Sequence, residues 1–321
     1  MRPLCLAFAA CCIAATTTHA AGLRLIEVPA DAEGPVLTGA VWTPCAEPAQ
    51  EVMLGKRTVR GVRDCPIVGD KLPLIVVSHG RLGSVAGHHD TAETLADAGF
   101  VVAAVNHPGD SALDPSRSGD LSVFLERPDD MKRLVDFMLG AWPDAAKIDR
   151  RRIGFFGFSR GGYTGLVLIG GNPDFRCPEG STLRLCTQIR HENISPDSLT
   201  HDPRIKAAIL ADPLFAALFA PDRLTDVTIP VQLWGSALGG DGVAPDSIAA
   251  LAQRLLAKTD FRVVENAGHF AFLAPCPAAL AKEAAEICTD PPGFDRAAFH
   301  KTFDADMLAF FRGHLVDAET P

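Results

Sequence analysis

The run Arg152-Ile153-Gly154-Phe155-Phe156-Gly157-Phe158-Ser159-Arg160-Gly161-Gly162 holds the clearest chemistry in the chain. An apolar, strand-like segment ends in Gly-x-Ser-x-Gly, and the small and apolar residues from Tyr163 to Gly171 read as a helix. A strand-to-helix turn this sharp holds its serine at a strained backbone position with the hydroxyl exposed, and the flanking glycines let the chains pack closely. Gly-x-Ser-x-Gly alone is common; the strand before it, the helix after it and a second glycine at 162 supply the context. Ser159 is thus the candidate nucleophile. A serine hydroxyl needs a base to take its proton, and the base needs an acid to orient it. His269, in Gly268-His269 after an apolar run, is the candidate base. Asp212 and Asp241, each following an earlier apolar run, are the candidate acids.

Several elements must position these groups. Leu23 to Val28 and Val36 to Trp42 read as two opening strands around a turn at Asp31 to Pro35, expected as the antiparallel edge of a larger sheet. Pro44 to Asp70 is polar and punctuated by proline and glycine, and reads as a surface connection. Leu74 to Val77 is a continuous apolar run, as expected of a strand buried on both faces, and opens into Ser78-His79-Gly80-Arg81. A helix over His88 to Ala98 and a strand over Phe100 to Val105 complete a βαβ unit. Asn106-His107-Pro108-Gly109-Asp110 ends that strand, and the polar loop to Glu126 is expected at the site mouth, with His107 structural or on the rim. Arg127-Pro128-Asp129-Asp130 reads as the first turn of the next helix, which packs through Met131, Leu134, Val135 and Met138. Strands follow over Arg204 to Ala211, Ile229 to Trp234 and Asp260 to Val264, and an amphipathic helix over Ala297 to His314 closes the chain. Ser236, just past the second of these strands, has no expected role.

Composition bounds the setting. With 321 residues, 47% hydrophobic and 21% charged, the chain can bury a large core as one α/β domain with an insertion. Its formal charge of -9 and the lack of a Lys/Arg-rich run argue against nucleic acid and anionic membranes as partners. Residues 1–20 read as a signal peptide: Arg2, an apolar stretch from Leu4 to Ala15, then small residues before a cleavage expected after Ala20. The stretch is too short for a stable membrane anchor, and lipoprotein processing at Cys11 is the minor alternative. Export to a periplasmic or extracellular setting changes how cysteines are read. Three of nine lie in the leader, and sequence proximity favours Cys45–Cys65, Cys177–Cys186 and Cys276–Cys288 as disulfides. Residues 172–204 form a long polar stretch that reads as a lid or rim insertion.

Four runs carry a specific resemblance: Leu-Ile-Val-Val-Ser-His-Gly (74–80), Gly-Phe-Val-Val-Ala-Ala-Val-Asn-His-Pro-Gly-Asp (99–110), Arg-Pro-Asp-Asp (127–130) and Gly-Phe-Ser-Arg-Gly-Gly-Tyr (157–163). The mature chain resembles the bacterial α/β-hydrolases often labelled predicted dienelactone hydrolases. These are related to the platelet-activating-factor acetylhydrolases and, more distantly, to chlorophyllases, which share the Ser-Arg-Gly-Gly elbow. True dienelactone hydrolases use a cysteine nucleophile, whereas this elbow carries Ser159. The resemblance implies an α/β-hydrolase fold, with a mostly parallel central sheet and helices on both faces. It also implies serine-dependent hydrolysis of a small-molecule carboxylic ester, without metal or organic cofactor.

In that fold the nucleophile, acid and base follow in the order Ser, Asp or Glu, His, which suits Ser159, either aspartate and His269, and sets His107 aside as base. The oxyanion-hole donors are expected from the backbone N–H groups of Arg81 and Arg160. Most relatives place the acid after the later strand, as Asp241 would be; the acetylhydrolases and chlorophyllases place it after the earlier one, in a sequence like Leu-Ala-Asp-Pro. Asp241 lies far along a glycine-rich loop, a poor platform for rigid orientation, so Asp212 is preferred and Asp241 is the alternative. Lipase or polyester hydrolase, acyltransferase and a non-catalytic binding protein are other readings of the same frame. Whether the Arg81 and Arg160 side chains face a polar substrate or pair with carboxylates stays open.

Overall fold

The computed structural model describes residues 20–55, 57–175, 187–188, 199–255 and 259–317. Residues 1–19 of the expected leader, most of the 172–204 insertion and the Cys177–Cys186 pairing lie outside the described residues.

The centre of the molecule is the run of apolar segments read from the sequence. β5 (Leu72–Ser78) is buried along its whole length, as is β6 (Val101–Val105). Together with β7 (Ile148–Phe158), β8 (Ile205–Ala211), β9 (Val231–Ser236) and β10 (Thr259–Val264) they form the parallel part of the sheet, in the order β10-β9-β8-β7-β5-β6. Their side chains alternate between two cores, as the period of two in a strand requires. On β5, Leu74 and Val76 enter one core, whereas Ile75 and Val77 enter the other. Helices α2 (Ser122–Leu139), α3 (Arg160–Leu168) and α4 (Pro245–Arg254) cover the first core; α1 (His89–Asp97) and α5 (Arg296–Phe311) cover the second. On α5, Phe303, Met307 and Phe311 are fully buried, as its pattern predicts.

Three expectations change. The opening strands β1 (Ala20–Val28) and β2 (Leu37–Cys45) pair antiparallel, and β2 joins the parallel part through β6, but they are not the sheet edge. The segment read as a surface connection instead forms a hairpin, β3 (Gln50–Leu54) and β4 (Arg57–Arg63), which extends the sheet through a parallel β1–β4 pairing and ends it at β3. Only Leu54, Val59, Gly61 and Val62 of this hairpin are buried, so its alternation is too faint to read from sequence. Helix α2 also begins earlier than expected, leaving Pro128 in its interior. Buried Leu121, Val123 and Phe124 anchor the first turn, and that packing outweighs the hydrogen bond a proline cannot make. Two disulfides, Cys45–Cys65 and Cys276–Cys288, form as proximity suggests. Among the described residues no helix is long and apolar enough to cross a membrane.

Candidate active site

The parallel strands bring their carboxyl ends to one edge of the sheet, where side chains from separate loops can converge. β7 ends at Phe158, and Ser159 takes φ 55° and ψ -114° before α3 begins at Arg160. A serine held in this region is strained, and close backbone contacts hold it there. A Cβ on Gly161 would lie 1.9 Å from the Ser78 carbonyl oxygen, and one on Gly157 would lie 2.2 Å from the Gly161 carbonyl oxygen. Both motif glycines are therefore required by backbone-to-backbone packing. Ser159 N–H donates to Ala211 O at 2.9 Å, and Leu214 N–H donates to Ser159 O at 2.9 Å, which laces the elbow to the end of β8.

The residue after Ala211 is Asp212, fully buried. Its Oδ2 accepts from His269 Nδ1 at 3.0 Å and from Ser236 Oγ at 2.5 Å, and its Oδ1 accepts from Ser236 N–H at 2.8 Å. His269 is in turn fixed through its backbone N–H, which donates to Gly239 O at 2.8 Å, and its ring lies against Phe158 with centroids 4.6 Å apart. With Nδ1 given to the carboxylate, Nε2 is buried and has no hydrogen-bond partner among the described residues. The arrangement orients an imidazole beside the elbow with one nitrogen free to take a proton. Asp241 lies elsewhere: its carboxylate pairs with Arg81 Nη2 at 3.2 Å in a partly exposed ion pair. Ser236, given no role by the sequence, supplies two of the three hydrogen bonds to Asp212. Its hydroxyl meets Asp212 just past the end of β8, a proximity that follows from the pairing of β8 with β9.

The expected oxyanion loop is equally constrained. Gly80 O accepts from Gly83 N–H at 3.1 Å and from His79 Nδ1 at 2.6 Å, while His79 Nε2 accepts from His107 N–H at 3.2 Å. These bonds fix a neutral His79 with its proton on Nδ1, and burial, followed by the Arg127 charge, holds its pKa well below the usual value. In a trans peptide the N–H points opposite to the preceding C=O, so Arg81 N–H is directed away from this turn. Arg160 N–H stands in the first turn of α3, where helix geometry leaves it without an acceptor inside the helix. The two arginine side chains are engaged in ion pairs: Arg81 with Asp241, and Arg160 Nη1 with Asp110 Oδ1 at 2.8 Å.

Behind this loop lies a buried polar network that the sequence reading did not foresee. Asp110 Oδ2 accepts from Arg127 Nη1 at 2.7 Å, and Arg127 Nη2 donates to His79 O and, at 3.3 Å, to Ser78 Oγ. His107 is fully buried rather than on a rim, with Nε2 2.9 Å from Ser78 Oγ and Nδ1 2.8 Å from Asp130 Oδ2. A cavity of about 270 Å³ adjoins His269, lined by Leu238, Gly240, Phe270 and Pro291 among others.

Comparisons with known proteins agree with this frame. Residues 45–118 match the family model of platelet-activating factor acetylhydrolase, isoform II. A ferulic acid esterase from Streptomyces cinnamoneus superposes with a TM-score of 0.65 at 19% identity, over 96% of this chain and 93% of that one. No curated protein matches the sequence. Over residues 45–118 the chain is thus similar to that acetylhydrolase family, and over nearly its whole length it shares the fold of that esterase.

Proposed function

We propose that this chain is an exported serine hydrolase that cleaves small-molecule carboxylic esters through an acyl-enzyme. The observation that carries the reading is His269, held by Asp212 through Nδ1, with Nε2 unpartnered among the described residues, beside a strained Ser159 elbow. His269 removes the Ser159 proton as Oγ attacks the ester carbonyl. The oxyanion of the tetrahedral intermediate is met by the main-chain N–H groups of Arg81 and Arg160. His269 then passes its proton to the leaving alcohol, and water, activated by the same imidazole, releases the acid and restores Ser159. Asp212 keeps the ring in its tautomer and stabilises the imidazolium. The two disulfides favour an oxidising compartment, consistent with the leader.

The test is hydrolysis of p-nitrophenyl esters from two to sixteen carbons, joined by feruloyl esters because the structural neighbour is named for that acid. Short esters are the expected substrates. Ser159→Ala abolishes turnover, and an organophosphonate labels wild type at Ser159. A preference for long or insoluble esters assigns a lipase or polyester hydrolase; partitioning toward an added alcohol assigns an acyltransferase. Absence of both turnover and labelling in folded protein refutes the hydrolase reading and leaves a binding protein.

A further inference from the structure

We propose that Asp110 is a positioning residue that sets the spacing between the two oxyanion donors, Arg160 N–H and Arg81 N–H. The inference rests on the ester-hydrolase reading above.

Asp110 is fully buried at the end of the β6 loop and accepts from two guanidinium groups, one per carboxylate oxygen. One belongs to Arg160, the residue after Ser159. The other belongs to Arg127 of α2, whose second nitrogen holds the His79 carbonyl two residues before Arg81. A continuous chain of charge-assisted bonds thus runs from the elbow, through one carboxylate, to the oxyanion loop. It pulls together two segments that already touch, since Gly161 has no room for a Cβ against Ser78 O, and Gly80 would carry one 3.3 Å from Ser159 Cβ. The contact sets how near the two donors can come; the Asp110 bridge keeps them from drifting apart.

Both ends of the bridge are immobilised. The Arg160 guanidinium lies 4.8 Å over the Phe124 ring. Arg127 and His107 share Ser78 Oγ, and His107 is braced by Asp130. Burial raises Asp110 and the paired arginines lower it, with the net pKa below the usual value, so the carboxylate is charged throughout the working range. Asp130 and Asp241 also act on Arg127 and Arg160 respectively, so the two guanidiniums are not left with a net excess of charge. Buried ion clusters of this kind contribute little net stability, because desolvation offsets the attraction. Here the arrangement supplies geometry.

Asp110→Asn leaves two buried guanidiniums around a neutral amide and is a poor probe if the fold fails. Arg160→Gln is the better one, since it cuts the elbow from the bridge and keeps the Asp110–Arg127 pair. In the full-length protein processed as expressed, kcat and KM are measured on the best ester, with inhibition by a trifluoromethyl ketone that forms an oxyanion on Ser159. Arg160→Gln should lower kcat about ten- to hundredfold, the range of a displaced donor, with KM within about twofold. Ketone affinity should fall by a similar factor, and Arg160→Lys, which keeps one N–H for Asp110, should recover most of both. A folded Arg160→Gln enzyme with wild-type kcat and ketone affinity overturns the proposal, as does a loss expressed in KM alone. Neither result touches the parent reading, which instead fails if wild type neither turns over esters nor reacts with phosphonate.

Discussion

Two aspartates compete for one role, and substitution to asparagine separates them because they sit in unlike surroundings. Asp212 is fully buried and takes three hydrogen bonds, two from Ser236 and one from His269. In Asp212→Asn the backbone N–H of Ser236, which cannot reverse, keeps the amide oxygen at the Oδ1 position, so the NH₂ takes the Oδ2 position where both Ser236 Oγ–H and His269 Nδ1–H already point. Ser236 can rotate its hydroxyl, but the imidazole meets a donor only by moving its proton to Nε2, which then cannot accept from Ser159. The expected loss in kcat is about 10⁴-fold, the size of a wrong-tautomer effect. Asp241 makes one ion pair with Arg81 in which both side chains are partly exposed, worth at most about 1 kcal/mol, so Asp241→Asn should change kcat/KM by less than about fivefold. Ser236→Ala is the sharpest member of the set. It removes one hydrogen bond from a buried carboxylate, a change of about 1.5–3 kcal/mol to that group. The Ser236 N–H and His269 still hold the carboxylate, so that energy bounds the expected fall in kcat at about 10- to 150-fold. The assay is p-nitrophenyl ester turnover, with thermal melts to confirm folding. A severe loss in Asp241→Asn, with Asp212→Asn near wild type, would refute the assignment and the reasoning from burial together.

Two further outcomes follow from packing and charge. Gly161→Ala sets a Cβ 1.9 Å from backbone oxygen, with no flexible side chain to give way, so it should cost upward of about 4 kcal/mol and appear as loss of soluble, cooperatively melting protein. His88 is buried against Phe156 and Phe158, and burial drives its pKa from the usual value down to about 3. The unfolded chain therefore binds a proton that the folded one refuses between about pH 6.5 and 3, and stability falls with acidification by up to about 1.4 kcal/mol per pH unit from this group. His88→Leu should flatten that part of the acid limb in urea titrations at several pH values; an unchanged slope would mean that other groups set it.

The sequence made the skeleton of the site legible because each part carried a local signal. Leu74 to Val77 and Ile153 to Phe158 were apolar enough to mark buried strands, and Gly157, Ser159 and Gly161 encode a turn whose backbone contacts demand those residues. Pattern failed where the signal was long-range or diluted. The β3–β4 hairpin buries few side chains, so it looked like loop, and Pro128 looked like a helix start because the tertiary contacts of Leu121 and Phe124 have no local signature. The polar supports of the site were hidden for a related reason. Arg127 and Asp130 read only as the first turn of a helix, and Asp110 as the start of a polar loop at the mouth, since charged residues are mostly exposed and carry no local sign of burial. Their burial becomes visible only when α2 lies across β5 and β6, so that Arg127 meets Asp110 from 17 positions away and His79 from 48. The proposed nucleophile and base are set by short motifs that fix their own backbone; the groups that hold them in place are set by the order of strands. Ser236 illustrates the difference most sharply: nothing around it distinguishes it from any serine after a strand, yet the β8–β9 register sets its hydroxyl 2.5 Å from the one carboxylate that orients His269.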